Sequence, residues 1–219
     1  MKNDALNFDE LAKKLYSAVI LDILDDLGYR NQAMHHSIKP LKCEMIAVGR
    51  AFTLLAVDVY SIPTEPYKLE LEAVDKLMPG DILVATTNGS ASSGFWGELL
   101  TIVAKCRGVK GGVIDGFTRD SKKIMGMDFS LFVRGIYPLD SKGRTDVIAY
   151  QVPIVCGGVL VNPGDIVFSD NDGIAVIPRD VEDEVISKSL IKISLENLVR
   201  KEIIAGASAV EVWDKYHIL

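Results

Sequence analysis

The chain has 219 residues, of which 48% are hydrophobic and 25% charged, so it can bury a sizeable core and has the composition of a globular protein. Its formal net charge is −6 and its Lys and Arg residues are scattered, which excludes the basic surface of a nucleic-acid-binding protein. The three cysteines form no CxxC pair, so we expect reduced thiols. No apolar run approaches the roughly 20 residues that cross a bilayer, and the N-terminus lacks the apolar core of a signal peptide, so we expect a cytoplasmic protein with no membrane partner.

The first predicted element is one amphipathic helix over residues 8–27. Asn7 and Glu10 have the spacing of the two partners in a capping box at a helix start. Gly28 is of the type that ends a helix. Between them, apolar residues recur at helical spacing: Leu11, Leu15, Val19, Ile20, Ile23, Leu24 and Leu27.

The middle of the chain alternates runs of β-branched and aliphatic residues with short polar or helical segments. Pro79-Gly80-Asp81 predicts a turn into one of these runs, and the small polar residues at 86–94 indicate a loop. The predicted strands cover 45–59, 82–85, 111–115 and 131–133, and the predicted helices cover 68–77, 95–107 and 121–126.

The last third of the chain begins with further strands. Residues 152–161 are strand-like, and the Asp172-Gly173 turn predicts a hairpin that joins 166–168 to 174–177. A helical segment over 180–216 ends the chain.

Within that segment, Asp180 is the predicted cap of a helix that runs to about Ile204, and a second helix covers 207–216. No low-complexity linker divides the chain. The elements together predict one α/β domain over residues 1–219, with helices flanking β-layers.

A first candidate site follows the predicted strand that ends at Asp115. Gly116 allows an unusual backbone angle there, and Arg119 and Asp120 come next, at the carboxyl end of the strand, where ligands bind in α/β sheets. A guanidinium grips a carboxylate at two points, and a carboxylate can hold Mg²⁺. A structural interpretation competes: Asp120 would cap the helix that starts at Ser121, and Arg119 would form a surface salt bridge.

A second candidate site is Gly97-Glu98-Leu99-Leu100, where a loop of small residues leads into a helix. The free backbone amides of a helix start bind anions, and Glu98 could hold a metal through water or accept a proton. The structural interpretation is that Glu98 only complements the helix dipole.

Other patterns of catalytic or ligand-binding sites are incomplete. Asp170 and Asp172 resemble half of a calcium loop, but the closing Glu is missing, so a hairpin turn is predicted instead. The three histidines have no zinc-site spacing, and the chain has neither a GxSxG nor a GxGxxG motif.

The ordered set of these motifs resembles the RraA-like family, which includes 4-hydroxy-4-methyl-2-oxoglutarate aldolases and regulators of ribonuclease E activity. The string Asp115-Gly116-x-x-Arg119-Asp120 is the most specific, and the twenty residues between Glu98 and Arg119 resemble the acidic-x20-Arg-Asp pattern of the family. The other matching positions are Ser17 and Asp22 before Leu27-Gly28, Pro79-Gly80-Asp81, Gly97-Glu98-Leu99-Leu100, Arg134-Gly135 with Pro138, and Asp170-x-Asp172-Gly173 before Pro178.

The resemblance implies a fold of the swivelling β/β/α type, assembled into a ring-like homotrimer or a hexamer with the site between subunits. It implies that Arg119 and the amides of residues 97–100 hold the carboxylate of a small 2-oxo acid. It implies that Asp120 anchors Mg²⁺ or Mn²⁺, with Glu98 supporting the ion through water. The implied activity is that of a carbon–carbon lyase that cleaves 4-hydroxy-4-methyl-2-oxoglutarate to pyruvate, decarboxylates oxaloacetate, or does both.

The chain departs from the family in ways that bear on the substrate. Several family aldolases have an acidic residue soon after the Arg-Asp pair, whereas Ser121-Lys122-Lys123 follows here, and residues 61–67 are also unusual. Two further functions stay open. One is a non-catalytic, protein-binding regulator of ribonuclease activity, and the other is methyl transfer to a quinone, against which the missing glycine-rich cofactor loop argues.

Overall fold

A nine-stranded mixed sheet runs through the protein in the computed structural model, which describes residues 6–218. The strands of this sheet are β1 (Lys39–Pro40), β2 (Ala47–Asp58), β3 (Asp81–Thr86), β4 (Gly94–Trp96), β5 (Gly111–Thr118), β6 (Ser130–Ile136), β7 (Thr145–Tyr150), β10 (Ile166–Ser169) and β11 (Ile174–Ile177). A separate hairpin consists of β8 (Ile154–Cys156) and β9 (Val159–Val161). The helices are α1 (Phe8–Lys14), α2 (Ser17–Asp26), α3 (Lys68–Asp75), α4 (Glu98–Cys106), α5 (Ser121–Met125), α6 (Glu182–Ile204) and α7 (Ala209–Tyr216).

The main path of the sheet has the order β1-β6-β5-β3-β2-β10-β11. Its four central strands, β6, β5, β3 and β2, are parallel, and the outer pairings are antiparallel. Two strands lie off this path, since β4 pairs with β5 and β7 pairs with β2. The central strands are buried on both faces, which explains why they are continuous apolar runs in the sequence.

Both faces of the sheet are covered. On one face, residues such as Leu83 and Ile114 pack with α3, α4 and α5, while on the other their neighbours Val84 and Val113 pack with the β8–β9 hairpin. A third cluster joins α1, α2 and α6 to β10 and β11 around Phe168. The prediction of an α/β fold of β-layers flanked by helices is confirmed.

The single helix predicted over residues 8–27 is wrong: there are two helices, because Leu15 and Tyr16 have extended backbone. The side chain of Asn7 does accept the amide of Glu10 at the predicted start. The break follows from a buried contact, in which both the backbone N–H and the hydroxyl of Ser17 donate to the carboxylate of Asp170 at 2.7 Å. The helix is interrupted at this point, and the amide and hydroxyl of Ser17 thereby reach the end of β10.

The helix predicted over residues 95–107 is also partly wrong. Phe95 and Trp96 belong to β4, which pairs in parallel with β5, and the helix begins only at Glu98. The two aromatic side chains are buried in the core, and this pairing keeps them there.

At the C-terminal end, Asp180 lies in a short 3-10 turn over Arg179–Val181 and does not cap α6, which starts at Glu182 with no side-chain cap. The two predicted C-terminal helices exist as α6 and α7, and the predicted hairpin turn joins β10 to β11. No helix within residues 6–218 is long and apolar enough to cross a membrane.

Candidate active site

The pairing of β4 with β5 brings the two candidate segments together. Trp96 is in register with Thr118, and its carbonyl accepts both the amide of Arg119 at 2.8 Å and the hydroxyl of Thr118 at 2.7 Å. Each strand ends at this point, so Gly97-Glu98 and Arg119-Asp120 leave the sheet side by side. Main-chain hydrogen bonds therefore set the spacing between the two segments.

Asp120 bridges the two segments through its carboxylate. Its backbone is left-handed, with φ 56°, a conformation that Asp tolerates better than most residues. The residue occupies the cap position of α5, as the structural interpretation proposed, but its side chain makes no capping bond to that helix. Instead Oδ2 accepts the amide of Glu98 at 3.1 Å, at the start of α4.

Gly97 leaves room for this packing. A Cβ at this position would lie 2.9 Å from Oδ2 of Asp120 and 3.3 Å from Nε of Arg119. Any larger residue would push against the two side chains that the sequence singled out.

Arg119 points toward a second acidic side chain that the sequence analysis missed. Its Nη2 lies 3.2 Å from Oδ1 of Asp140, and the hydroxyl of Tyr67 donates to the other oxygen of that carboxylate at 2.5 Å. Burial alone would raise the pKa of Asp140, but the Tyr67 hydrogen bond, the Arg119 charge and two backbone N–H donors together outweigh it, so the net pKa is lowered. Burial, together with this hydrogen bond, raises the pKa of Tyr67 to about 12.

Glu98 begins α4 and faces the same cleft. Its Oε1 lies 3.5 Å from Nζ of Lys123, one of the basic residues that follow the Arg-Asp pair. The amides of Leu99 and Leu100 donate to no acceptor within residues 6–218. They are available to an anionic ligand at the helix start.

A cleft of about 440 Å³ collects these groups. Its lining includes Gly97, Glu98, Leu99, Leu100, Arg119 and Asp120 from the two candidate segments, together with Tyr67, Glu70 and Asp140. All the predicted site residues therefore line one cavity. A cleft of about 410 Å³ lies beside α1, but there Asp9 and Lys110 neutralise each other as an ion pair.

The donor groups fit a metal that needs few protein ligands. Within the described residues, no cluster of three or more His, Cys, Asp or Glu side chains could hold an ion alone. Mg²⁺ is commonly held by one or two carboxylates with water and substrate oxygens completing its shell. Asp120 and Glu98 supply two carboxylates to this cavity, of which that of Asp120 is 43% exposed.

Glu70 is a further residue that the sequence analysis missed. It is 4% exposed, and its Oε1 has no hydrogen-bond partner in the described part of the chain. Burial, followed by the nearby carboxylates of Asp146 and Asp140, raises its pKa to about 8. The sequence did carry a signal, because Glu70 precedes Ala73, Val74 and Leu77 at the spacing of an apolar helix face.

Two acidic residues beyond the cleft, Asp170 and Asp115, have structural roles. Asp170 holds Ser17 and the amides of Asp172 and Gly173, as expected of a turn rather than a calcium loop. Asp115 pairs with Arg134 and accepts the amide of Gly157 at 2.8 Å.

Comparisons with known proteins identify the family of this chain. A family model described as RraA-like (Aldolase/RraA) matches residues 17–176. DlpA of Legionella pneumophila is 31% identical over 204 residues, which are 91% of this chain but only 32% of that protein, so the chain spans about a third of DlpA. A protein of Halalkalibacterium halodurans named "Putative 4-hydroxy-4-methyl-2-oxoglutarate aldolase" is 31% identical over 189 residues, or 86% of this chain and 85% of that protein.

Among solved structures, RraAS2 of Streptomyces coelicolor is described as an unusual member of the RNase ES inhibitor RraA protein family. It is 28% identical, with a TM-score of 0.81, and the match covers 92% of this chain and 100% of that one.

Proposed function

Since this chain belongs to the RraA-like family, we propose that it is a divalent-metal-dependent carbon–carbon lyase that acts on small 2-oxo acids. The observation that carries this proposal is the juxtaposition of Arg119, Asp120 and the start of α4 in one cleft. A cation, a carboxylate and free amides at one place suit a short dianionic substrate and a metal ion. The similarity to the Halalkalibacterium halodurans protein supports a hydroxy-oxo-acid substrate.

Arg119 and the amides of Leu99 and Leu100 would bind the carboxylate next to the 2-oxo group. The guanidinium has five N–H donors, so it can hold this carboxylate in two places while keeping its contact with Asp140. The substrate would thereby be oriented with its 2-oxo group toward Asp120.

Asp120 would hold Mg²⁺ or Mn²⁺, and Glu98 would support the water shell of the ion. When bound, the ion would polarise the 2-oxo group and offset the negative charge that develops on its oxygen. Two reactions would be promoted by this charge stabilisation in the same way: retro-aldol cleavage of 4-hydroxy-4-methyl-2-oxoglutarate and decarboxylation of oxaloacetate. Both leave the electrons of a broken carbon–carbon bond on the pyruvate fragment.

The test is pyruvate release from each compound with Mg²⁺ and with EDTA. We expect EDTA to abolish turnover and Asp120→Ala to lower kcat/KM by about 100-fold or more, since a directly bound ligand is lost. Asp26→Ala, an exposed Asp on α2 outside the cleft, is the matched control and should keep full activity. Turnover that ignores EDTA or survives Asp120→Ala would contradict the metal role.

A second candidate function is a non-catalytic regulator that binds a ribonuclease. The structural match to RraAS2, whose family is described as inhibiting RNase ES, favours it, and the net charge of −6 suits an acidic docking surface. One variant, Asp120→Ala, distinguishes the two functions. If the protein is a regulator, this variant should still bind the ribonuclease. If the protein is a lyase, this variant should lose turnover.

A further inference from the structure

Glu70 is a buried acid that the protein itself leaves without a partner. It lies in the first turn of α3, on the face that also buries Ala73 and Val74. Its Oε1 is fully enclosed, and no N–H or O–H group within residues 6–218 donates to it. Buried carboxyl oxygens are normally paired, and an exception calls for an explanation such as a missing ligand or a catalytic role.

The cleft offers that explanation, because Glu70 lines the same cavity as Glu98, Arg119 and Asp120. A small molecule held by Arg119 would occupy this cavity. The carboxyl group of Glu70, which lines the cavity, would then lie beside the substrate.

The charged groups around Glu70 come from several elements. Asp146 lies on β7 and Asp140 in the loop after β6, and both favour the protonated form of Glu70, while Arg119, after β5, favours the ionised form. Burial and these charges bring its pKa to about 8. An acid whose pKa lies near the working pH can both accept and return a proton during turnover.

We propose that Glu70 is the proton-transfer residue of the carbon–carbon cleavage and contacts the hydroxyl group of the hydroxy-oxo acid. This inference rests on the proposed lyase function and deepens it. The ionised carboxylate takes the proton of the substrate hydroxyl, and the O–H electron pair becomes the new C=O bond. The adjacent carbon–carbon bond breaks, and its electrons form the enolate of pyruvate.

Glu70 then returns the same proton to the methylene carbon of that enolate, which gives pyruvate and restores the carboxylate. No proton or electron is left over, and no further reactant is consumed. Decarboxylation of oxaloacetate starts differently, because CO₂ leaves without any hydroxyl group losing a proton. The two reactions should therefore depend on Glu70 to different degrees.

The experiment compares Glu70→Gln with wild type on both compounds, in the presence of Mg²⁺. Loss of a general acid–base group costs roughly 100- to 10,000-fold. We expect that loss in kcat for cleavage of 4-hydroxy-4-methyl-2-oxoglutarate, with oxaloacetate decarboxylation kept to within about tenfold. Glu72→Gln is the matched control, because Glu72 is exposed on the same helix and should change neither reaction.

Retained decarboxylation shows that the variant is folded. If Glu70→Gln does not fold, Glu70→Asp takes its place, and its loss should again fall on cleavage rather than on decarboxylation. Equal losses in both reactions, or no loss in either, would overturn the role of Glu70 while leaving the lyase in place. Absence of wild-type turnover on both compounds would overturn the lyase and the role of Glu70 together.

Discussion

Gly97 shows how little space separates the two key side chains of the cleft. Its missing Cβ leaves room for the Asp120 carboxylate and the Arg119 guanidinium, whose closest atoms are 3.9 Å apart. We expect Gly97→Ala to displace Asp120 and to weaken Mg²⁺ binding by roughly 10- to 100-fold, the range seen when support for a metal ligand is lost.

Titration of Mg²⁺ by calorimetry would measure this change. Gly173→Ala is the control, because a Cβ at Gly173 would meet nothing within 4 Å. Equal Mg²⁺ affinity for Gly97→Ala and wild type would argue against Asp120 as the ligand.

The raised pKa of Glu70 also predicts how the stability of the protein depends on pH. In the unfolded chain it loses its proton near its ordinary pKa of 4.5, while in the folded protein it keeps that proton to about pH 8. The unfolded state therefore binds fewer protons between these values, so the contribution of Glu70 to the free energy of unfolding falls as the pH rises through this window.

In Glu70→Gln this contribution no longer depends on pH. We expect the stability of the variant relative to wild type to rise by roughly 1–3 kcal/mol between pH 5 and pH 8, because only the wild type has a buried carboxyl group that must ionise over this range. Urea unfolding at the two pH values would measure it, with Glu72→Gln as the control. A difference that is constant with pH would mean that Glu70 ionises normally.

At the scale of elements, the contact between α2 and β10 decides the path of the N-terminal region. The hydroxyl of Ser17 donates to the buried carboxylate of Asp170, and hydrogen bonds to charged groups contribute roughly 1.5–3 kcal/mol. We expect Ser17→Ala to lower the free energy of unfolding by that amount, measured by urea unfolding. Ser194→Ala, an exposed position on α6, should have little effect. A loss below about 0.5 kcal/mol for Ser17→Ala would mean that the backbone contact suffices.

Local patterns predicted those elements whose causes are local. The Asp172-Gly173 turn needs only its own residues, and the hairpin is where the sequence places it. The break before Ser17 depends on Asp170, far along the chain, so helical periodicity alone could not reveal it. In the same way, Phe95 and Trp96 fit a helical pattern, but pairing with β5 makes them a strand.

The candidate site, too, could be predicted only where its residues belong to local motifs. Glu98, Arg119 and Asp120 belong to local motifs, and these residues do line one cleft. Tyr67 and Asp140 belong to no motif, and only the fold brings them to Arg119. Glu70 could have been found, since an acid on an apolar helix face is itself unusual.

At the scale of the whole molecule, the surface carries apolar residues that a lone chain would leave in water. Leu99, beside the cleft, is 75% exposed, and Ile136, at the end of β6, is 56% exposed. We expect the protein to form a homotrimer or a hexamer, because association would cover such residues. Size-exclusion chromatography with light scattering should give three or six times the chain mass of 23.9 kDa. A monomer with full activity would remove the subunit interface from the site.

The residues of the cleft are held in place by different means. Main-chain bonds between β4 and β5 fix the segments that carry Arg119 and Asp120, whereas Tyr67 and Glu70 reach the cavity as side chains at the start of α3. A substitution on α3 can therefore alter the cavity without changing the backbone that carries Arg119 and Asp120. In evolutionary terms, these two parts of the cavity can vary independently, so we expect relatives that bind different ligands to differ first on the α3 side.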